Sequence, residues 1–178
     1  MCQVGITCSN ILIYIFIQSQ SVNEEKSRAK LISEISNLDV LTGLNNRLLY
    51  ECRLDELKKE EWVGVLFADL NGLKTMNDSQ GHVAGDQMIM NFAFQLMSYF
   101  PGNELFRISG DEFVVLTLDK DAFDGASGKL INAVGDSASV GKYEGNGADI
   151  INIVAEAEKD MYEKKSDYYQ RTGKDRRK

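Results

Sequence analysis

The sequence predicts an α+β domain, an α/β sandwich of the ferredoxin-like βαββαβ kind. Its central sheet is antiparallel, helices pack on one face, and further helices flank the unit. Three observations predict this. Trp62–Asp69 is an almost unbroken apolar run, as in a strand buried on both faces. A helix of period 3.6 follows and stops at the single proline, Pro101, with Gly102 behind it. Two short apolar runs then flank the turn Ser109-Gly110-Asp111-Glu112, a hairpin signal. The 178 residues suit one such domain with a short appendage.

The elements follow in order. Residues 1–17 form an apolar segment whose densest part is Val4–Ile17, shorter than the ~20 residues of a membrane span. It reads either as the cytoplasmic end of a transmembrane helix or as a strand or short helix that packs on the domain or self-associates. Residues 18–38 turn polar, and Leu31, Ile35 and Leu38 place one apolar stripe on a helical stalk. The main domain is assigned to 39–178. A helix starts near Asn45, a good capping residue, and presents Tyr50, Leu54 and Leu57. After the Trp62–Asp69 strand, Asn71–Asp86 reads as a Gly-rich polar loop. Ile89, Phe92, Ala93, Leu96, Met97 and Phe100 mark the long helix. The hairpin strands are Glu104–Ile108 and Phe113–Leu118. Phe123, Leu130, Ile131 and Val134 indicate a helix weakened by Gly125 and Gly128. Ser137–Tyr143 is the fourth strand. Ile151, Val154, Ala155, Met161 and Tyr162 mark the last helix, and Lys174–Lys178 is a basic tail.

Composition narrows the function. A net charge of −7 argues against a nucleic-acid partner spread over a broad face, while leaving room for a small anion held by a metal. Cys2, Cys8 and Cys52 contain no C-x-x-C pair and read as free thiols of a reducing compartment. His82 is the only histidine, so a Ser-His-Asp or histidine-based metal mechanism would have to run through it alone.

The acids suggest the chemistry. Asp69 emerges at the end of the buried strand, and Asp111 and Glu112 sit at the hairpin tip. In a split βαβ these segments are neighbours, so three hard carboxylates can meet at one sheet edge, as Mg²⁺ on phosphates requires. Capping and turn roles account for the same residues on spacing alone. Gly72 allows close backbone approach to phosphates. Asn77 and Asp86 carry side chains able to read a purine edge.

Four segments together resemble a known family. Asp39-Val40-Leu41-Thr42-Gly43-Leu44-Asn45-Asn46-Arg47 is similar to the opening motif of GGDEF domains, the diguanylate cyclases. Phe67–Asp78, then Gly81-His82 and Gly85-Asp86, resembles their metal and guanine segment. Arg107-Ile108-Ser109-Gly110-Asp111-Glu112-Phe113 resembles their signature. The resemblance implies a palm-type nucleotidyl cyclase domain that joins two GTP into cyclic di-GMP across a homodimer. It implies Mg²⁺, with Mn²⁺ as an alternative, held by Asp69, Asp111, Glu112 and the Leu70 carbonyl, the three acids being catalytic. It implies substrate contacts from Asn77 and Asp86 to guanine, from Gly72 and Leu73 to the phosphates, and from Lys74, Gly110 and Lys165. A cytoplasmic location follows, tethered to the inner face of the plasma membrane if Val4–Ile17 is a membrane end. Pairing of stalks through Leu31–Leu38 would bring two half-sites together.

Departures from the family pattern qualify this. Ser109 replaces the first signature glycine, Asn71 a second aspartate, and Tyr169 an arginine after Lys165. The stretch before Ser137 is short for the family. The R-x-x-D product site is represented by Phe100-Pro101-Gly102-Asn103, without either charge, which predicts no feedback inhibition there. The alternative function is a catalytically impaired domain that binds GTP or a cyclic dinucleotide and signals through a partner.

Overall fold

A computed structural model describes Gln20 and residues 37–173. The chain divides at Leu38/Asp39 into two units, and the account below concerns the second. The apolar segment, most of the stalk with Leu31 and Ile35, and Lys174–Lys178 lie outside the described residues. Among the described residues no helix is long and apolar enough to cross a membrane.

Five strands form one mixed sheet in the order β1-β3-β4-β2-β5. They are β1 (Asn45–Asn46), β2 (Val63–Leu70), β3 (Glu104–Arg107), β4 (Glu112–Thr117) and β5 (Ala138–Gly145). β2 runs antiparallel to both β4 and β5, and β3 and β4 form the expected hairpin. The β3-β4-β2-β5 part is the ferredoxin-like arrangement. β1, which the sequence reading placed inside a helix, adds a parallel edge against β3.

Side-chain alternation along β2 builds two cores. Leu66, Ala68 and Leu70 pack with α3 (His82–Tyr99) and α4 (Lys120–Val134), through Phe92, Leu96, Phe123 and Leu130. Val63, Val65 and Phe67 pack with α1 (Arg47–Leu57) and α5 (Ile150–Thr172), through Tyr50, Leu57, Ile153 and Met161. Helices therefore cover both faces, not one. The reason lies in β2, which has no polar face to leave in water. Each of these large apolar side chains contributes about 1.5–3 kcal/mol on burial.

Three local differences stand out. α2 (Leu73–Gln80) occupies what the sequence presents as a loop. α3 begins at His82, seven residues before the first apolar residue of its stripe. In α5 the buried positions are Ile150, Ile153, Ala157, Met161, Lys165 and Tyr168, while Ile151 and Tyr162 face outward. Ala157 and Lys165 are small and charged, which hides the true stripe. Gly141 lets α5 lie directly on β5, since a Cβ there would run into the Ala157 carbonyl and the Met161 amide. α4 tolerates Gly125 and Gly128 because Asp119 caps its start, accepting from the Ala122 N–H at 3.0 Å, and its apolar face is buried.

Candidate functional site

Asp69 lies one residue before the end of β2, opposite Glu112 on β4 and Ser139 on β5. Directly opposed residues share a face, so Asp69 and Glu112 both point to the α1/α5 side. The Leu70 N–H donates to the Asp111 carbonyl at 3.0 Å, stitching the strand end to the hairpin turn. Asp69, Leu70, Asp111 and Glu112 are thus brought to one edge.

The Asp69 carboxylate is 5% exposed and is ion-paired with the Lys165 ammonium from α5, itself 8% exposed. Apart from that ammonium, no donor among the described residues reaches Oδ1. Burial pushes the Asp69 pKa up from 3.8 to about 6; Asp111 and Glu112 add to the rise and Lys165 opposes it. A buried carboxylate met by a single ammonium, beside two further acids, suits a hard divalent cation in its donor chemistry. The acids do not close on one point: among the described residues no three of His, Cys, Asp and Glu form a metal-sized cluster.

The hairpin turn is braced from below. Arg107 donates from Nη2 to the Gly110 carbonyl at 2.8 Å, and from Nη1 to both Asp39 oxygens at 3.1 and 3.2 Å. Asp39 also accepts from the Thr42 N–H at 2.9 Å and the Thr42 hydroxyl at 2.7 Å. Burial works against the Asp39 charge, but the Thr42 and Arg107 bonds outweigh it and hold its pKa below 3.8. The sequence reading gave neither Asp39 nor Arg107 a role at the site. The Asp-x-x-Thr-Gly spacing of an Asx-type turn was the available signal.

Beyond β2, Asn71 is buried and fully engaged. Its Nδ2 donates to the Asp136 carbonyl at 3.1 Å, its Oδ1 accepts from the Ser139 hydroxyl at 3.1 Å, and its N–H donates to the Ser137 carbonyl at 2.9 Å. An aspartate there would have no N–H for Asp136. Asparagine at this position therefore matches its local surroundings.

Gly72 follows with φ +81°, a left-handed conformation that disfavours any side chain. It opens α2 without a side-chain cap, so the first-turn N–H groups of α2, beginning at Leu73, are not satisfied by one. Asn77 on α2 rests against Gly85 of α3, where any Cβ would overlap Asn77 Oδ1. That oxygen is buried without a donor. Asp86 adjoins this contact and is exposed, as are Lys74, Ser109 and Gly110. Tyr169 packs edge-on against Tyr168, ring centroids 5.3 Å apart. Arg171 is engaged by Asp136 at 2.6 Å.

A family model described as "Diguanylate cyclase, GGDEF domain" matches residues 36–171. Diguanylate cyclase TpbB of Pseudomonas aeruginosa is 36% identical over 104 residues, covering 52% of this chain and 24% of that protein. Cyclic di-GMP phosphodiesterase PdeR of Escherichia coli is 31% identical over 108 residues, 58% of this chain and 16% of that protein. The chain thus spans a quarter or less of these two curated relatives. Among solved structures, the coiled coil and GGDEF domain of DgcB from Caulobacter crescentus, in complex with c-di-GMP, aligns with a TM-score of 0.74 at 18% identity. That alignment covers 92% of this chain and 96% of that one. The FimX GGDEF domain from Pseudomonas aeruginosa aligns with a TM-score of 0.68 at 17% identity, covering 74% and 94%.

Proposed function

The chain belongs to the diguanylate cyclase, GGDEF domain family, and from that membership we propose that it condenses two GTP into cyclic di-GMP and two pyrophosphates. One observation carries the reading: a buried Asp69 shares a sheet edge with Asp111 and Glu112, directly before the uncapped start of α2.

In this reading the 3′-hydroxyl of each GTP attacks the α-phosphorus of the other, forming one O–P bond as the bond to pyrophosphate breaks. Two protomers each present one nucleotide. Asp69, Asp111, Glu112 and the Leu70 carbonyl would hold Mg²⁺ or Mn²⁺, which supplies charge neutralisation on the phosphates. The Gly72 and Leu73 amides receive phosphate oxygens at the positive end of α2, with Lys74 nearby in sequence. Asn77 and Asp86, carried on the two helices that meet at Gly85, read guanine. Lys165, paired with Asp69 in the nucleotide-free chain, would contact the terminal phosphates. Arg107 and Asp39 position the turn that carries Gly110 and Asp111. The product does not inhibit through Phe100–Asn103, since Pro101, Gly102 and Asn103 offer no charged group; steady-state turnover with added cyclic di-GMP checks this.

The Lys165–Asp69 pair favours a second reading, a domain that binds GTP or a cyclic dinucleotide without turning it over. Incubation of concentrated protein with GTP and Mg²⁺, followed by chromatography with mass detection, separates the two. Cyclic di-GMP with two pyrophosphates, lost in Asp111→Ala, supports the cyclase. GTP binding with no product, even from a forced dimer, supports the second reading.

A further inference from the structure

A cavity of about 420 Å³ lies between α2 and α3, floored by Leu70 and Ser137. This is within the size range of small-molecule sites. Of the residues proposed to hold nucleotide or metal only Leu70 lines it; its side chain belongs to the core with Phe92, whereas the proposed ligand is its carbonyl, and neither Asp69, Asn77 nor Asp86 reaches the cavity.

Its lining has an unusual chemistry for this chain. Charged residues make up 26% of the sequence, yet no ionisable side chain faces the cavity. Four primary amides do: Gln80, Gln87, Asn91 and Gln95. Gln95 Oε1 is buried and has no hydrogen-bond partner. Gln87 Nε2 donates to Asn91 Oδ1 at 2.9 Å, which leaves the Gln87 carbonyl and the Asn91 N–H groups to bond elsewhere. The remaining wall is soft and apolar. Met76, Met88 and Phe92 offer thioether and ring surfaces of the kind that pack on a flat aromatic molecule.

We propose that this cavity binds a small uncharged heteroaromatic ligand whose edge alternates hydrogen-bond donors and acceptors, the chemistry of a pyrimidinedione ring. A charged ligand would enter with no counter-ion, and a purely apolar one would leave Gln95 Oε1 unmet. An alternating edge is the complement of primary amides, each of which presents a donor and an acceptor side by side. An occupant would touch both α2 and α3.

The full chain is titrated with lumichrome, a neutral fluorescent tricycle with a pyrimidinedione edge, and followed by fluorescence and by amide NMR. The expected result is saturable binding at about 100 µM, typical of a ligand of its size, with the Gln87, Asn91 and Gln95 side-chain amides shifting. Gln95→Leu should weaken binding about tenfold, the effect of one lost hydrogen bond. Ala84→Leu, which narrows the cavity without touching Gln95, should abolish it, and saturating GTP should not displace the probe. The inference is overturned by an absence of saturable binding, by equal affinity in folded Gln95→Leu and Ala84→Leu proteins, or by shifts that centre on Asn77 and vanish with GTP.

Discussion

Gly85→Ala separates the proposed recognition of guanine from stability of the fold. An added methyl at Gly85 would overlap the amide oxygen of Asn77 and crowd its Cγ, the three nearest atoms all belonging to that one side chain. That oxygen ends a short side chain, so the collision is relieved by rotating Asn77 rather than by moving a helix. The cost to the fold is small, and alanine regains about 0.8–1 kcal/mol of helix propensity over glycine. The midpoint of urea unfolding should therefore hardly move. Asn77, however, would leave the orientation that faces the base in the proposed site. A two-point base contact is worth about 1–3 kcal/mol, so the KM for GTP should rise roughly 5- to 150-fold with little change in kcat. Asn77→Ala should give the same rise, and the double variant no more than either alone, because both remove one interaction. Steady-state assays of the four proteins measure this. An unchanged KM in Gly85→Ala, or additive effects in the double variant, would refute the argument that Gly85 exists to seat Asn77.

Other perturbations follow from the same geometry. Asn71→Asp replaces the donor to the Asp136 carbonyl with an acceptor; it should cost about 1–3 kcal/mol in denaturant unfolding at neutral pH. Gly141→Ala forces a methyl into the backbone of α5 at Ala157 and Met161. Because backbone cannot rotate away, it should cost about 1–3 kcal/mol or more, and the thermal midpoint should fall by many degrees. Asp69 has a folded pKa of about 6 against 3.8, so the folded chain binds its proton more readily than the unfolded one. Its contribution to stability is fully present below pH 3.8 and is lost as pH rises through about 6, on the order of 3 kcal/mol in all. The stability difference between the native chain and Asp69→Asn, followed by urea unfolding from pH 4 to 7, should carry that slope and should be flat if the carboxyl titrates normally.

What could be read from sequence depended on whether apolar periodicity set the element. β2 was legible because Val63, Val65, Leu66 and Phe67 leave no other solution, and α3 because its stripe ends at Pro101. α2 was not: it has no buried residue, and its bounds are set by left-handed Gly72 and by Gly81, which punctuate loops as readily as helices. α5 was legible as a helix but read on the wrong face, since a buried Lys165 does not register as apolar. At the site, Asp69 and Asp111 could be placed at one edge from strand order alone. The Lys165 ion pair, the engagement of Asn71 and the reach of Arg107 to Asp39 could not, for each joins residues 65 or more positions apart through side-chain geometry.

The Arg107 guanidinium links two points that the chain separates widely: Asp39, the first residue of the folded unit, and Gly110, one residue before Asp111. The turn carrying the acid is therefore anchored to the place where the domain's polypeptide starts. A pull or twist arriving along the chain at Asp39 meets a charged, hydrogen-bonded strut rather than a slack loop, and the far end of that strut is the carbonyl next to Asp111. The first residue of the domain and its carboxylate-bearing edge are, mechanically, one joint.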